Sequence, residues 1–429
     1  MNPTILLYNI FIVPLLFVAF HLLSLFSPKI RSGIAGRRFL FSQLEQKMAD
    51  VPALKKRILI HAASMGEYEQ ARPVLRLLKE RHPDVLRVLS VFSPSVFNGI
   101  TDSYDADILT YLPFDSPAGT SRFLNLISPS VLLIARHDIW PNLLNKAQQN
   151  GTKCILFDAS VHRGSLRHKP VVAGFMRSIF ANFHAILAIS EKAADEMQNL
   201  VPASVTCSTP GDTRFDQVLF RAGEANIAQI IPERFRAKPN IIVAGSTWPE
   251  DEIILIPAFA ALKKRVNSTL IVVPHELTVE HMESCRRLCD RHKLKMVVVE
   301  TAEKEYPDGD VIYVNRMGVL AAIYKAGTVA FVGGGNGPGV HSVIEPAAHG
   351  RPVTFGPRMT NSAEALEMVD EKCGFIAGNK DLLANLWQQW FLDPEGLKTV
   401  SRRALEFVQR KSGASEKIAG VVSKLLANN

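Results

Sequence analysis

The sequence predicts an α/β protein with two parallel-sheet domains behind a membrane anchor. Three observations carry that prediction. Apolar runs of strand length alternate with helical patterns from Arg57 to about Leu219, and the alternation starts afresh at Ile241. A polar stretch without a strand, Arg221 to Asn240, lies between the two series. Near the start, Ile5 to Phe26 runs for 22 residues with no formal charge. Strands alternating with helices imply βαβ units and a mainly parallel sheet, and 429 residues suffice for two domains of ordinary size.

The apolar stretch would reach roughly 33 Å as a helix, about the thickness of a bilayer core. No basic residue precedes it and SPKIRSG follows it, which argues against a cleaved secretory signal. Lys29, Arg31, Arg37 and Arg38 on its C-terminal side place the rest of the chain in the cytoplasm, against the inner membrane. Asn9, Pro14 and His21 leave two placements open, a spanning helix and one lying in the inner leaflet. Residues 1–28 are therefore read as the anchor and 29–56 as a basic juxtamembrane segment. Ser27 to Arg57 carries +6 of the net charge of +8, leaving +2 for everything else. An excess so localised suits anionic headgroups, with Arg31, Arg37 and Arg38 as the contacts, and argues against a nucleic-acid partner.

The first domain is expected over 57–222. Arg57 to Glu80, RILIHAASMGEYEQARPVLRLLKE, opens with an apolar strand from Ile58 to Ala63, turns at Ser64-Met65-Gly66 and enters a helix. Glu67 falls at that junction, on the carboxyl edge where open α/β sheets bind ligands. A helix N-terminus favours a carboxylate, so Glu67 is expected to be ionised at neutral pH and ready to take a proton. Further strands are expected at Leu86–Phe92, Ile108–Leu112, Val131–Ala135, Cys154–Phe157 and Ala185–Ile189.

The second domain is expected over 239–403, with strands at Ile241–Ala244, Leu270–Val273, Met296–Val299, Val311–Val314 and Val329–Val332, and a closing helix within 404–429. After the last of these strands comes GGGNGPG, Gly333 to Gly339, whose glycines let backbone N–H groups approach an anion. Ser246 and Thr247, following the first strand of this domain, suit a helix start facing a ligand. Two Rossmann-like domains facing a central cleft define the GT-B architecture of glycosyltransferases, which some epimerases share.

Five cysteines without a CxxC pair fit a reducing compartment. His281, Cys285, Cys289 and His292 share a helical face but extend roughly 16 Å along it, too far for one ion. Asp105-Ala106-Asp107 and Asp308-Gly309-Asp310 precede apolar runs, where turn residues are expected. Neither a metal nor a cofactor is expected. Trp140 and Trp248 read as core aromatics or as lining the acceptor path, with the core favoured, and His61 as a packed histidine at a strand end.

One family unites these features. IHAASMGE (Ile60–Glu67), YLPFDSP (Tyr111–Pro117), RFL (Arg122–Leu124), DIWPN (Asp138–Asn142) and GDTRFD (Gly211–Asp216) resemble motifs of the 3-deoxy-D-manno-octulosonic acid (Kdo) transferases. AGSTWPEDE (Ala244–Glu252), VVPHE (Val272–Glu276), MGVLAAIY (Met317–Tyr324) and Val332 to Pro357 continue the similarity in order. Such enzymes move Kdo from CMP-Kdo onto a lipid A precursor in Gram-negative inner membranes. The resemblance implies that Glu67 is the general base for the acceptor hydroxyl, which attacks the anomeric carbon with inversion. It also implies transition-state roles at Arg136, Asp138 and Arg214. Here the family's ETELWPN reads RHDIWPN, with Arg136 for the first Glu, and GNLKFD reads GDTRFD, with Arg214 for Lys.

For CMP-Kdo the resemblance implies Ser246, Thr247, Pro274, His275, Met317, Gly318, Val319, Gly334, Gly335, Ser342, Val343, Ile344 and Glu345, the last on the ribose hydroxyls. His275 stands for an Arg, Val319 for a Glu and Ser342 for an Asn. Three alternatives stay open: a GT-B transferase with another CMP- or UDP-sugar and lipid acceptor, a sugar-nucleotide epimerase, and a non-catalytic relative. An epimerase with soluble substrate and product would need no anchor.

Overall fold

The computed structural model describes residues 3–52, 55–100, 105–162 and 164–427. The chain forms two compact units, Met1–Gln217 together with Ser412–Asn429, and Val218–Lys411. Each contains one seven-stranded parallel sheet.

In the first unit β1 (Arg57–Ala62), β2 (Leu86–Val91), β3 (Ile108–Tyr111), β4 (Val131–Ala135), β5 (Lys153–Ala159), β6 (Ala185–Ala188) and β7 (Thr206–Ser208) lie in the order β3-β2-β1-β4-β5-β6-β7. β2 and β4 are buried along their whole length, as strands covered on both faces must be; β4 reads as an unbroken apolar run, and β2 as one interrupted by Arg87 and Ser90. β7 is an exposed edge strand of sequence TCS, which has no apolar run to announce it.

The second unit contains β8 (Ile241–Thr247), β9 (Thr269–Pro274), β10 (Met296–Val299), β11 (Val311–Val314), β12 (Val329–Val332), β13 (Val353–Phe355) and β14 (Gly374–Ile376), in the order β10-β11-β9-β8-β12-β13-β14. β13 and β14 have only three residues each, too short for periodicity to register. In both units the first strand is central, with β2 and β4 flanking β1, and β9 and β12 flanking β8. This is the switch point at which doubly wound sheets open a crevice.

The juxtamembrane segment is not a free basic arm. It folds into helices Pro28–Arg37 and Leu40–Ala49, and Leu40, Leu44 and Met48 enter the first unit's core. The C-terminus is two helices rather than one. Pro394–Lys411 belongs to the second unit, while Ala414–Ala427 returns to the first and places Ile418, Ala419, Val422 and Leu426 in its core. The break falls at Gly413 (φ +99°), where Asp216 accepts the Gly413 N–H at 2.6 Å and the Ser415 N–H at 2.8 Å.

Thr4–Phe26 is a helix long and apolar enough to cross a bilayer. Pro14 has no N–H to give, and the preceding turn, Tyr8–Ile12, widens so that Val13 bonds the Tyr8 carbonyl. One side of this helix lies along the first unit. Asn142 Nδ2 donates to Asn9 Oδ1 at 2.6 Å, Tyr8 sits 6.2 Å from Phe175, and Phe20 lies 5.7 Å from Phe92 and 5.4 Å from Phe114.

Candidate active site

At the end of β1 the chain turns into helix Met65–Arg81 through a reciprocal cap. The Glu67 N–H donates to Ser64 Oγ at 3.3 Å, while Glu67 Oε2 accepts the Ala63 and Ser64 N–H groups at 2.7 and 3.1 Å. The other oxygen, Oε1, has no hydrogen bond among the described residues. Glu67 is 9% exposed. Burial raises its pKa above the usual glutamate value and Asp138 pushes the same way, against the two backbone N–H bonds and His61. Desolvation thus outweighs the helix N-terminus in setting the direction of the shift.

Beside it, His61 is fully buried on β1. Its Nδ1 lies 3.0 Å from Ser90 Oγ and its Nε2 2.7 Å from Asp138 Oδ2. Asp138 also accepts the Trp140 indole N–H at 2.8 Å. Burial works to raise the Asp138 pKa, but the His61 and Trp140 bonds and the Arg37 charge prevail and hold it low. His61 is packed, as expected, and also holds the carboxylate next to Glu67. Trp140, expected in the core, is half-buried at this edge.

Gln70 follows Glu67 by one turn and was not singled out from the sequence. It is 2% exposed, and both its amide atoms are unpaired among the described residues. Residues three apart on a helix are neighbours, so the Glu-x-x-Gln spacing was the available signal.

Arg136 ends β4 in the left-handed region (φ +58°) with its Nε buried and unpaired among the described residues. Asp158 at the end of β5 is also left-handed (φ +51°), fully buried, and accepts the Thr213 N–H at 3.1 Å. Strained residues of this kind concentrate at functional sites. The Asp158 pKa is driven up by burial and by the neighbouring Asp212. Arg214, expected to face a departing phosphate, has its guanidinium forked onto Asp212, with Nε at 2.9 Å and Nη2 at 2.6 Å from Oδ2.

Arg37 departs from its expected headgroup role. It donates to the carbonyls of Gly33, Phe92 and Leu112, each at 2.8 Å, and lies over the rings of Phe92, Tyr111 and Phe114. It clamps the Pro28–Arg37 helix to the sheet. Arg31 bonds the carbonyls of Ser24 and Leu25 at the end of the apolar helix, and Arg38 is exposed beside Phe39.

The second unit's site gathers at the ends of β8, β9 and β12. Ser246 is half-buried in the left-handed region (φ +52°). Thr247 is fully buried, with its hydroxyl donated to Glu252 at 2.9 Å, so it faces the interior instead of a ligand. Pro274 closes β9 and is buried, while His275 is exposed. The His275 ring lies 4.7 Å from Trp248 and 4.4 Å from His341. Trp248 and His341 are nearly coplanar at 5°, joined edge to edge by the indole N–H donating to His341 Nε2 at 2.8 Å. That bond requires His341 Nε2 to be unprotonated, and burial together with His275 lowers the His341 pKa. Trp248, also expected in the core, is thus part of an open three-ring platform.

The glycine run is held by Asp251, which sequence reasoning missed. This carboxylate is fully buried and accepts the N–H groups of Trp248 (3.0 Å), Gly334 (2.6 Å) and Asn336 (3.1 Å), plus Asn336 Nδ2 (3.0 Å). Gly333, Gly337 and Gly339 N–H groups bond backbone carbonyls. The expected anion cradle is therefore largely engaged internally. Gly334 (φ +88°) and Gly335 serve close backbone approach, and a Cβ on Gly335 would lie 2.5 Å from Gly356 N.

The leading N–H groups of helix Ile344–Ala348 have no intrahelical acceptor, and they fall within Ser342, Val343, Ile344 and Glu345. Ser342 is exposed and Glu345 half-buried, but the side chains of Val343 and Ile344 are buried, leaving only their backbone to offer. Met317 is 70% exposed beside left-handed Gly318 (φ +77°), whereas Val319 packs into the core.

The rejected sites have structural explanations. His281, Cys285 and Cys289 are buried, with His281 on Glu252 at 3.0 Å. Asp107 pairs with Arg87 at 2.8 Å, Asp308 with Lys238 at 2.6 Å and Asp310 with Lys263 at 3.0 Å.

Two doubly wound units with polar residues gathered at their carboxyl edges define the GT-B class. A UDP-GlcNAc 2-epimerase from Neisseria meningitidis matches with a TM-score of 0.62 at 11% identity, over 87% of this chain and 100% of that one. A glycosyltransferase from Rickettsia africae matches at 0.57 and 11% identity, over 88% and 100%. That likeness is of fold alone. Sequence is more specific. The family model described as 3-deoxy-D-manno-octulosonic-acid transferase (kdotransferase) matches residues 35–217. The 3-deoxy-D-manno-octulosonic acid transferase of Haemophilus influenzae is 25% identical over 423 residues, covering 97% of this chain and 96% of that protein. That of Aquifex aeolicus is 28% identical over 329 residues, 76% and 83% of the two chains. The chain is thus similar to Kdo transferases over nearly its whole length, and residues 35–217 match their family model.

Proposed function

We propose that this protein transfers Kdo from CMP-Kdo to a hydroxyl of the lipid A precursor, lipid IVA, with inversion, at the cytoplasmic face of the inner membrane. The observation that carries the reading is Glu67, a buried carboxylate at the switch point with one oxygen anchored by backbone N–H groups and the other unbonded among the described residues. Its raised pKa suits a base working near neutrality. The unbonded oxygen takes the proton as the acceptor oxygen attacks the anomeric carbon, whose bond to the phosphate oxygen breaks on the opposite face to release CMP. Asp138, held by His61 and Trp140, keeps negative charge close to the developing positive charge of the sugar, while Gln70 offers an amide to an acceptor hydroxyl.

On the donor side, the rings of Trp248, His275 and His341 offer a surface for the planar base. The first turn at Ser342 to Glu345 offers N–H groups to the phosphate and a carboxylate to the ribose. Arg136 and the Asp212-paired Arg214 bring positive charge to the carboxyl edge of the first unit, and Arg31 and Arg38 remain for headgroups.

The test is Glu67→Gln, which keeps size and removes the base. Turnover of CMP-Kdo with tetraacylated lipid A precursor, followed by mass spectrometry of the lipid, should fall by roughly 100- to 10,000-fold. Melting temperature and CMP binding should hold. Undiminished turnover would end the reading.

A further inference from the structure

We propose that the space between the Thr4–Phe26 helix and the first unit receives an acyl chain of the acceptor lipid. The inference rests on the reading of the acceptor as a phosphorylated, acylated lipid and names where its hydrocarbon goes.

A cavity of about 280 Å³ lies between Leu16, Phe17 and Phe20 of the helix and Leu40, Phe41 and Phe114 of the unit beneath. A second, of about 210 Å³, shares Phe20, Arg37 and Phe114 with it and continues past Ile30, Ile34 and Pro94. The polar side chains in the wall of the first cavity already have partners. Arg37 is bonded to three carbonyls, and Asp115 accepts the N–H groups of Asn142 and Leu143 at 2.9 and 3.0 Å. A cavity whose polar groups are already paired gives water few partners and favours an apolar occupant.

Two continuities single out lipid. The helix that roofs the cavity turns its other side outward, with Leu15 63% exposed and Leu22 and Leu23 exposed beyond it, so the roof meets the membrane. Exposed Lys29 lines the second cavity, with Arg31 and Arg38 nearby in sequence, which suits phosphate above an inserted chain. Trp140 forms part of the first cavity's wall and stacks on Phe92 of the second, and its indole N–H bonds the Asp138 carboxylate beside Glu67. A chain held here would carry its sugar headgroup toward the base.

The experiment uses the full-length protein in mixed micelles and a lipid A precursor carrying a diazirine on one acyl chain. Crosslinks are expected on peptides containing Leu16–Phe20 and Pro113–Gly119. Leu16→Trp and Val13→Trp, which fill the cavity from the helix, should reduce them about tenfold or more, because methylenes are excluded from an apolar site. Leu15→Trp, on the outward side, should not. In parallel, the two filling variants should lower kcat/KM for the acylated acceptor about tenfold while leaving the fully deacylated headgroup within about twofold of wild type. Crosslinks confined to the outward side of the helix, or unchanged by both filling variants, would overturn the proposal. Crosslinks in the cavity without glycosylation of either acceptor would sink the proposed transfer and leave the acyl site standing.

Discussion

The corners after β1 and after β8 are built on one plan. Each follows the central strand of its sheet, and each carries a carboxylate as the third residue of the helix that begins there, Glu67 in one and Asp251 in the other. Both accept backbone N–H groups from the turn before the helix. They differ in how many donors surround them. Asp251 meets four and is fully buried, whereas Glu67 meets two, both on one oxygen. A carboxylate satisfied on both oxygens is a staple for the glycine run, and one left half-bonded in a desolvated corner has a use for a proton. Saturation of the acceptor, more than residue type, separates structure from chemistry here.

That contrast can be broken from either side. The largest effect should come from Glu67→Gln: turnover collapses while the first unit stays folded, because the amide still accepts the backbone bonds. Asp251→Asn should act in the opposite sense. Its amide would turn N–H groups toward two of the four donors, and each buried donor left unpaired costs about 1–3 kcal/mol. The melting temperature and CMP affinity should fall together in calorimetry, with kcat at saturating donor much less affected. A Glu67→Gln protein that unfolds, or an Asp251→Asn protein that melts like wild type, would erase the distinction.

Smaller changes sharpen it. Ser64→Ala removes the hydroxyl that caps helix Met65–Arg81 and should lower stability by about 1 kcal/mol in denaturant titration, with a modest loss of kcat as Glu67 loosens. Asp138→Asn tests the electrostatics. Because the Glu67 pKa is raised, kcat/KM should fall on acidification at a pH above the usual glutamate range, as the base becomes protonated. Asp138 contributes to that raising, so its neutralisation should move the acid limb to lower pH. A shift the other way would show that Asp138 does not act on Glu67 through charge.

Most of the architecture was legible because parallel strands covered on both faces are largely apolar. All eleven strands expected from apolar runs are present, while Thr206–Ser208, Val353–Phe355 and Gly374–Ile376 escaped because three-residue strands leave no pattern. Motif order pointed to Glu67, to the donor-side segments and to the family. The sequence also placed a carboxylate at Asp138 without revealing that buried His61 would hold it.

What the amino-acid sequence determined by itself was therefore local and periodic: strand, corner, helix start, apolar anchor, and the residue types at each corner. Tertiary structure alone decided which polar groups are already paired, because pairing depends on segments far apart in the chain. It engaged the Gly334 N–H with Asp251 and Arg37 with the carbonyls of Phe92 and Leu112. It also joined Trp248, His275 and His341 into one platform and laid the N-terminal helix along the first unit. Desolvation belongs to the same category, since burial of Glu67 requires the whole unit, and burial outweighs the helix end in setting the carboxyl's pKa.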